Sequence, residues 1–148
     1  MKFSLIVVLI ILCAVVDVYA GQQDIFGKWK TEKGDVQLDF FQCEEKICAK
    51  IVWLQHPEYM SEKDGPIGTA KTDRKNPDPA MRSRPVLGLR VVSEVTPAGE
   101  NQWGGGICYD PQTGKTYKCK MKMVSPGRLE MRGYVGFSLF GRNYVLVR

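Results

Sequence analysis

Apolar and polar residues alternate over most of the chain after residue 26. Val36-Gln37-Leu38-Asp39-Phe40 places apolar side chains at every second position, the period of a half-buried strand. Ile47 to Leu54 predicts a second strand centred on Ile51, Val52 and Trp53, and Val86 to Val92 another. Gly106 to Tyr109 and Thr116 to Val124 predict a hairpin around the turn residues Pro111 and Gly114. Leu129 to Val135 returns after Ser125-Pro126-Gly127, and Tyr144 to Val147 closes the chain. With Gly27-Lys28-Trp29-Lys30 in front, about eight strands follow one another at turn intervals of roughly 8–12 residues, the pattern of an all-β sandwich or barrel. No helical period extends over ten residues; short helical turns are expected at most in His56 to Met60 and near Ala80-Met81-Arg82.

One connection breaks the meander. Residues 55–85 are too many for an ordinary loop, and such loops are usually functional. The segment Asp73-Arg74-Lys75-Asn76-Pro77-Asp78-Pro79-Ala80-Met81-Arg82-Ser83-Arg84-Pro85 carries prolines at 77, 79 and 85, which fix φ and keep their predecessors extended. It therefore reads as a built loop, either a lid over a barrel mouth or a surface excursion covering a sheet edge.

The first twenty residues differ from the rest. Lys2 precedes an apolar run from Leu5 to Val16, and Val18-Tyr19-Ala20 has the small-residue spacing of a signal-peptidase site. The run is too short to span a bilayer core of about 30 Å. The expectation is a signal peptide over 1–20, cleaved before Gly21, and a single domain over 21–148 in the periplasm or outside the cell. Export would oxidise Cys43, Cys48, Cys108 and Cys119. Each of the pairs Cys43–Cys48 and Cys108–Cys119 flanks a polar turn, a spacing that favours these two bridges over the other connectivities and over a zinc site.

The net charge is +5. Cations such as Lys118, Lys120 and Lys122 recur at alternate strand positions, which reads as a solvated sheet face, and no nucleic-acid partner is expected.

Several segments, taken in order, resemble a bacterial exported family, domain of unknown function 2147, whose fold is lipocalin-like. They are Gly27-Lys28-Trp29; Cys43 with Cys48-Ala49-Lys50-Ile51-Val52-Trp53-Leu54; Asn76-Pro77-Asp78-Pro79 with Arg82, Arg84-Pro85 and Leu87-Gly88-Leu89; Tyr109-Asp110-Pro111 with Gly114-Lys115-Thr116-Tyr117; and Arg132-Gly133-Tyr134-Val135-Gly136 with Phe140-Gly141-Arg142. Ala49 stands where the family usually has glycine, and Asn143-Tyr144-Val145-Leu146 lacks its polar, tryptophan-bearing ending. The resemblance implies an antiparallel β-barrel of about eight strands and no particular activity. It also implies that Trp29 packs the barrel floor against an arginine from a late strand, Arg142 or Arg148.

No catalytic constellation is present. His56 is the single histidine, and neither a nucleophile elbow nor a paired-histidine metal motif occurs. Asp73, Asn76 and Asp78 lack calcium-loop spacing and are expected to structure their loop through short hydrogen bonds. A barrel of this size either fills with side chains or holds one small ligand. The candidates for contacting an apolar or amphipathic ligand are Trp53, Tyr109 and Tyr134, with Arg82, Arg84, Arg132 or Arg142 for an anionic head group, while Arg82 and Arg84 could equally hold the loop down through Asp73 or Asp78. Trp29, Phe40 and Phe140 are further aromatics that could line the interior. No cofactor is implied. The contrasting expectation is an envelope interaction protein whose barrel is filled.

Overall fold

The computed structural model describes residues 25–137 and 141–148; the signal-peptide expectation and Phe140 lie outside them. Eight strands form: β1 (Gly27–Thr31), β2 (Val36–Cys43), β3 (Lys46–Leu54), β4 (Arg90–Gly99), β5 (Gln102–Asp110), β6 (Lys115–Ser125), β7 (Arg128–Tyr134) and β8 (Gly141–Val147). Each pairs antiparallel with the next, and β8 returns to β1 to close a barrel. The period-2 pattern is the cause. Trp29, Leu38, Phe40, Ile51, Met121, Leu129 and Leu146 alternate with half-buried or exposed neighbours and meet in one continuous core.

The two ends of the barrel differ. At one end, β2–β3, β4–β5 and β6–β7 are joined by two residues each, and Glu44, Asn101 and Gly127 take the positive φ that tight hairpins require. This end is the floor. Trp29 is fully buried there and donates its indole N–H to the Ile25 carbonyl at 2.8 Å. The Arg148 guanidinium lies 4.3 Å from its ring centre, so the cation–π partner comes from the chain end, not from Arg142. At the other end, the mouth, the connections are longer.

The mouth connection between β3 and β4 runs from Gln55 to Leu89, four residues beyond the expected loop, because β4 starts at Arg90 instead of Val86. Val86 and Leu89 are buried, but Gly88 sits at φ 87°, and the pair Gly88 N–H to Ile51 O and Ile51 N–H to Leu89 O only tethers this stretch to β3. β4 instead continues through Pro97 to Gly99, and Pro97 pairs with Trp103. The connection is a lobe of three extended segments. Tyr59 N–H to Thr69 O and Lys71 N–H to Pro57 O join the first two; Asp73 N–H to Arg84 O and Val86 N–H to Lys71 O join the second and third. No helix forms at His56 to Met60, where Glu58 instead bridges Ala70. A 3-10 turn does form at Pro79–Met81, capped by the Asp78 side chain. The buried Tyr59 ring centres the lobe, and Gly65 lies so close that any side chain there would strike it.

Candidate functional site

Two groups of polar residues mark the mouth. The first clamps the lobe to the barrel rim. Asp73 has no exposed surface, yet its carboxylate is fully engaged. Tyr109 O–H donates to Oδ1 at 2.5 Å; Asn76 Nδ2 at 2.7 Å and Arg84 Nε at 2.9 Å donate to Oδ2. A second Arg84 nitrogen, Nη2, lies 2.8 Å from the same oxygen. Around this carboxylate the backbone is turned by side-chain bonds: Asp78 N–H to Asn76 Oδ1 at 2.9 Å, Ala80 N–H to Asp78 Oδ1 at 3.0 Å, and Arg82 Nε to the Asn76 carbonyl at 2.8 Å. Tyr109 belongs to β5, on the side opposite Cys108, so one phenol ties barrel to lobe. Burial, followed by the hydrogen bond to and the charge of Asp73, pushes its pKa up to about 12; Asn76 and Arg84 oppose the shift.

The second group faces the interior. β8 pairs with β7 along its whole length, matching Leu146 to Leu129, Tyr144 to Met131 and Arg142 to Gly133. Leu146, Leu129 and Met131 are buried, so strand alternation puts Tyr144 and Arg142 on the same inner face, nearer the mouth. Tyr117 joins them from β6, two residues before the buried Cys119, and its side chain lies over Gly133, where a Cβ would stand in ordinary contact with it at 3.4 Å. β1 reaches β8 in register only at Lys30↔Val147 and Thr31↔Leu146. The mouth half of β8 therefore rises above the end of β1, and Tyr144 stays 37% exposed.

The other proposed ligand contacts are dispersed. Arg82, Arg84 and Tyr109 belong to the rim clamp. A β-bulge between Gln37 and Leu38 puts Trp53 opposite Gln37 and out of step with Ile51; its ring lies 4.7 Å from the Lys30 amino group, and it is 40% exposed. Arg132 and Tyr134 share the outer face of β7, where Arg132 donates to Asn143 Oδ1 at 2.6 Å and Tyr134 lies 5.8 Å from Lys120 Nζ. Arg142 is thus the candidate arginine that lies on the inner face, joined by Tyr117 and Tyr144, which the sequence reading did not single out. Their alternation with Cys119 and Leu146 carried that signal.

Disulfides join Cys43 to Cys48 and Cys108 to Cys119, with Cα separations of 5.9 and 5.4 Å. Among the described residues, no group of three or more His, Cys, Asp or Glu is placed to hold a metal, and no helix is long and apolar enough to cross a membrane.

No curated protein matches the chain. Among solved structures, protein HP1028 from the human pathogen Helicobacter pylori, described as belonging to the lipocalin family, superposes with a TM-score of 0.69 at 25% identity, covering 84% of this chain and 82% of its own. The family model for uncharacterised proteins conserved in bacteria, DUF2147, matches residues 27–148. The eight-stranded closed barrel, its floor tryptophan and that match together make the chain a member of the DUF2147 family with a lipocalin-like fold.

Proposed function

We propose that this is an exported carrier, periplasmic or secreted after loss of residues 1–20, whose single domain over 21–148 takes a small apolar or amphipathic ligand into its mouth. The observation that carries the reading is Arg142 on the inner face, flanked by Tyr117 and Tyr144 and set above an apolar interior. A permanently charged guanidinium can form two hydrogen bonds to a carboxylate or phosphate, while the apolar part of the ligand descends toward Met131 and Met121. The likeness to a protein described as a lipocalin supports the same reading. A second reading, a filled barrel acting as an envelope interaction protein, is favoured by the bulk of Trp29, Phe40 and Trp103, all buried.

Native mass spectrometry of the protein from the exported fraction, followed by organic extraction, decides between them. A carrier shows a discrete co-purifying molecule. Arg142→Ala is then expected to weaken its retention roughly 10- to 100-fold, the loss of a charge-assisted pair, with little change in melting temperature. Arg84→Ala is expected to lower the melting temperature and leave retention intact, because that arginine is committed to Asp73. A clean unliganded mass sinks the carrier reading and favours the interaction protein.

A further inference from the structure

Exposed large apolar side chains are concentrated at the mouth. Val135 and Phe137, directly after β7, are 63% and 81% exposed, and the lobe adds Met60, Ile67 and Leu87. At the floor, the β2–β3 and β4–β5 turns carry Glu44, Glu45 and Glu100, and the large apolar side chain exposed there is Val124, beside the β6–β7 turn. Solvent gives no reason for such an asymmetry; an interface does.

The wall beneath Val135 and Phe137 says what kind. The register of β6 and β7 sets Lys118 opposite Tyr134, Lys120 opposite Arg132 and Lys122 opposite Glu130. The three lysines are exposed on the outer face, alternating with the inward Cys119 and Met121. From the mouth downward the order is therefore apolar tips, then Tyr134 beside Lys118, then Lys120 beside Arg132. Strand residues rise about 3.3 Å each, so Val135 stands about 10 Å above the Lys120–Arg132 level, and Lys122 lies deeper still. A lipid interface presents the matching sequence at that depth: acyl chains, then a headgroup layer several ångströms thick. Lys120 and Arg132 face each other across the ladder, so the cations stand together on one wall.

We infer that the barrel docks mouth-first on an anionic lipid bilayer, with Val135 and Phe137 entering the interface and Lys118 and Lys120 meeting headgroup phosphates. This goes beyond the carrier reading and does not require the barrel to hold a ligand. A rigid protein partner fits less well, because the apolar tips stand on separate connections and only a deformable surface receives them all.

The test is co-sedimentation of the protein from the exported fraction with phosphatidylcholine vesicles, with and without phosphatidylglycerol. Binding is expected only with phosphatidylglycerol, falling as salt rises above about 0.1 M. Val135→Ser/Phe137→Ser is expected to weaken it about 30-fold through lost apolar burial. Lys118→Gln/Lys120→Gln is expected to weaken it by a similar factor, at about fivefold per lysine. All four positions are at the surface, so melting temperatures should hold and report that both variants fold. Equal binding to both vesicle types, undiminished binding by either variant, or no binding overturns the inference. So does a concentration-dependent dimer that the serine variant abolishes, which would make the patch a contact between copies. The co-purifying ligand is read separately by mass, so the two proposals fail independently.

Discussion

At the scale of single residues, the mouth is organised around a carboxylate that solvent never reaches. Asp73 carries a buried charge, tolerated because Tyr109, Asn76 and Arg84 donate to it. Tyr109 is consequently held in its protonated form. Its pKa rises from the ordinary tyrosine value near 10 to about 12 in the folded protein. The native state thus keeps a proton that the unfolded chain releases first. Stability from this group is complete below about pH 10 and is lost as pH rises through about 12. An alkaline titration of tyrosinate absorbance is expected to show a late step near pH 12 that Tyr109→Phe removes. The same variant should cost about 1–2 kcal/mol at neutral pH, since it takes one donor from a buried carboxylate. A late step that survives in Tyr109→Phe would show that the clamp is misassigned. Asp78 bonds within a few residues of itself, whereas Asn76 also reaches the Tyr109 hydroxyl at 3.2 Å, and local spacing carries no sign of that contact or of the 36-residue reach from Asp73 to Tyr109.

At the scale of elements, the readable features were those that depend on neighbours in the chain. Uninterrupted alternation marked β2 and β6, and the glycine- and proline-bearing turns marked their hairpins. The misplacement of β4 has a definite cause. Val86-Leu87-Gly88-Leu89 looks like strand because it is apolar, but it is apolar to seat the lobe, while Pro97 and Gly99 look like breakers yet lie within a strand whose Glu94, at φ 59°, marks an irregularity. The lobe is held at one further point that can be tested. Gly114, in the β5–β6 connection at φ 71°, lies where any Cβ would collide with the Lys75 carbonyl, whereas Gly136, at φ 66°, has open space around it. Both alanine variants pay the conformational cost of about 1 kcal/mol. Gly114→Ala is expected to lose at least about 1 kcal/mol more, because it also displaces the lobe from the rim. Hydrogen exchange should localise that loss to the Lys71, Asp73 and Val86 amides. Equal losses in the two variants would mean that the lobe does not depend on this contact.

At the scale of the whole molecule, a closed sheet and two short disulfide rings share the work of stabilisation. Rings of this size contribute about 2–3 kcal/mol each by loop entropy. Reduction is therefore expected to lower the melting temperature by about 15 °C or more while far-ultraviolet circular dichroism stays unchanged at room temperature, since the continuous core remains. Unfolding on reduction alone would show that the core is weaker than its burial suggests. What the sequence determined by itself was an antiparallel all-β chain of about eight strands, its two short-range cysteine pairings and the unusual length of one connection. These follow from period-2 alternation, turn chemistry and short spacings, all local along the chain. Only the tertiary structure decided which way side chains face and which segments meet. A bulge in the β2–β3 pairing turned Trp53 outward, ring closure set Arg148 on Trp29, and strand register brought Arg142, Tyr144 and Tyr117 to one inner surface. A single-residue shift in pairing exchanges the inside and outside of a strand, and that shift depends on partners tens of residues away.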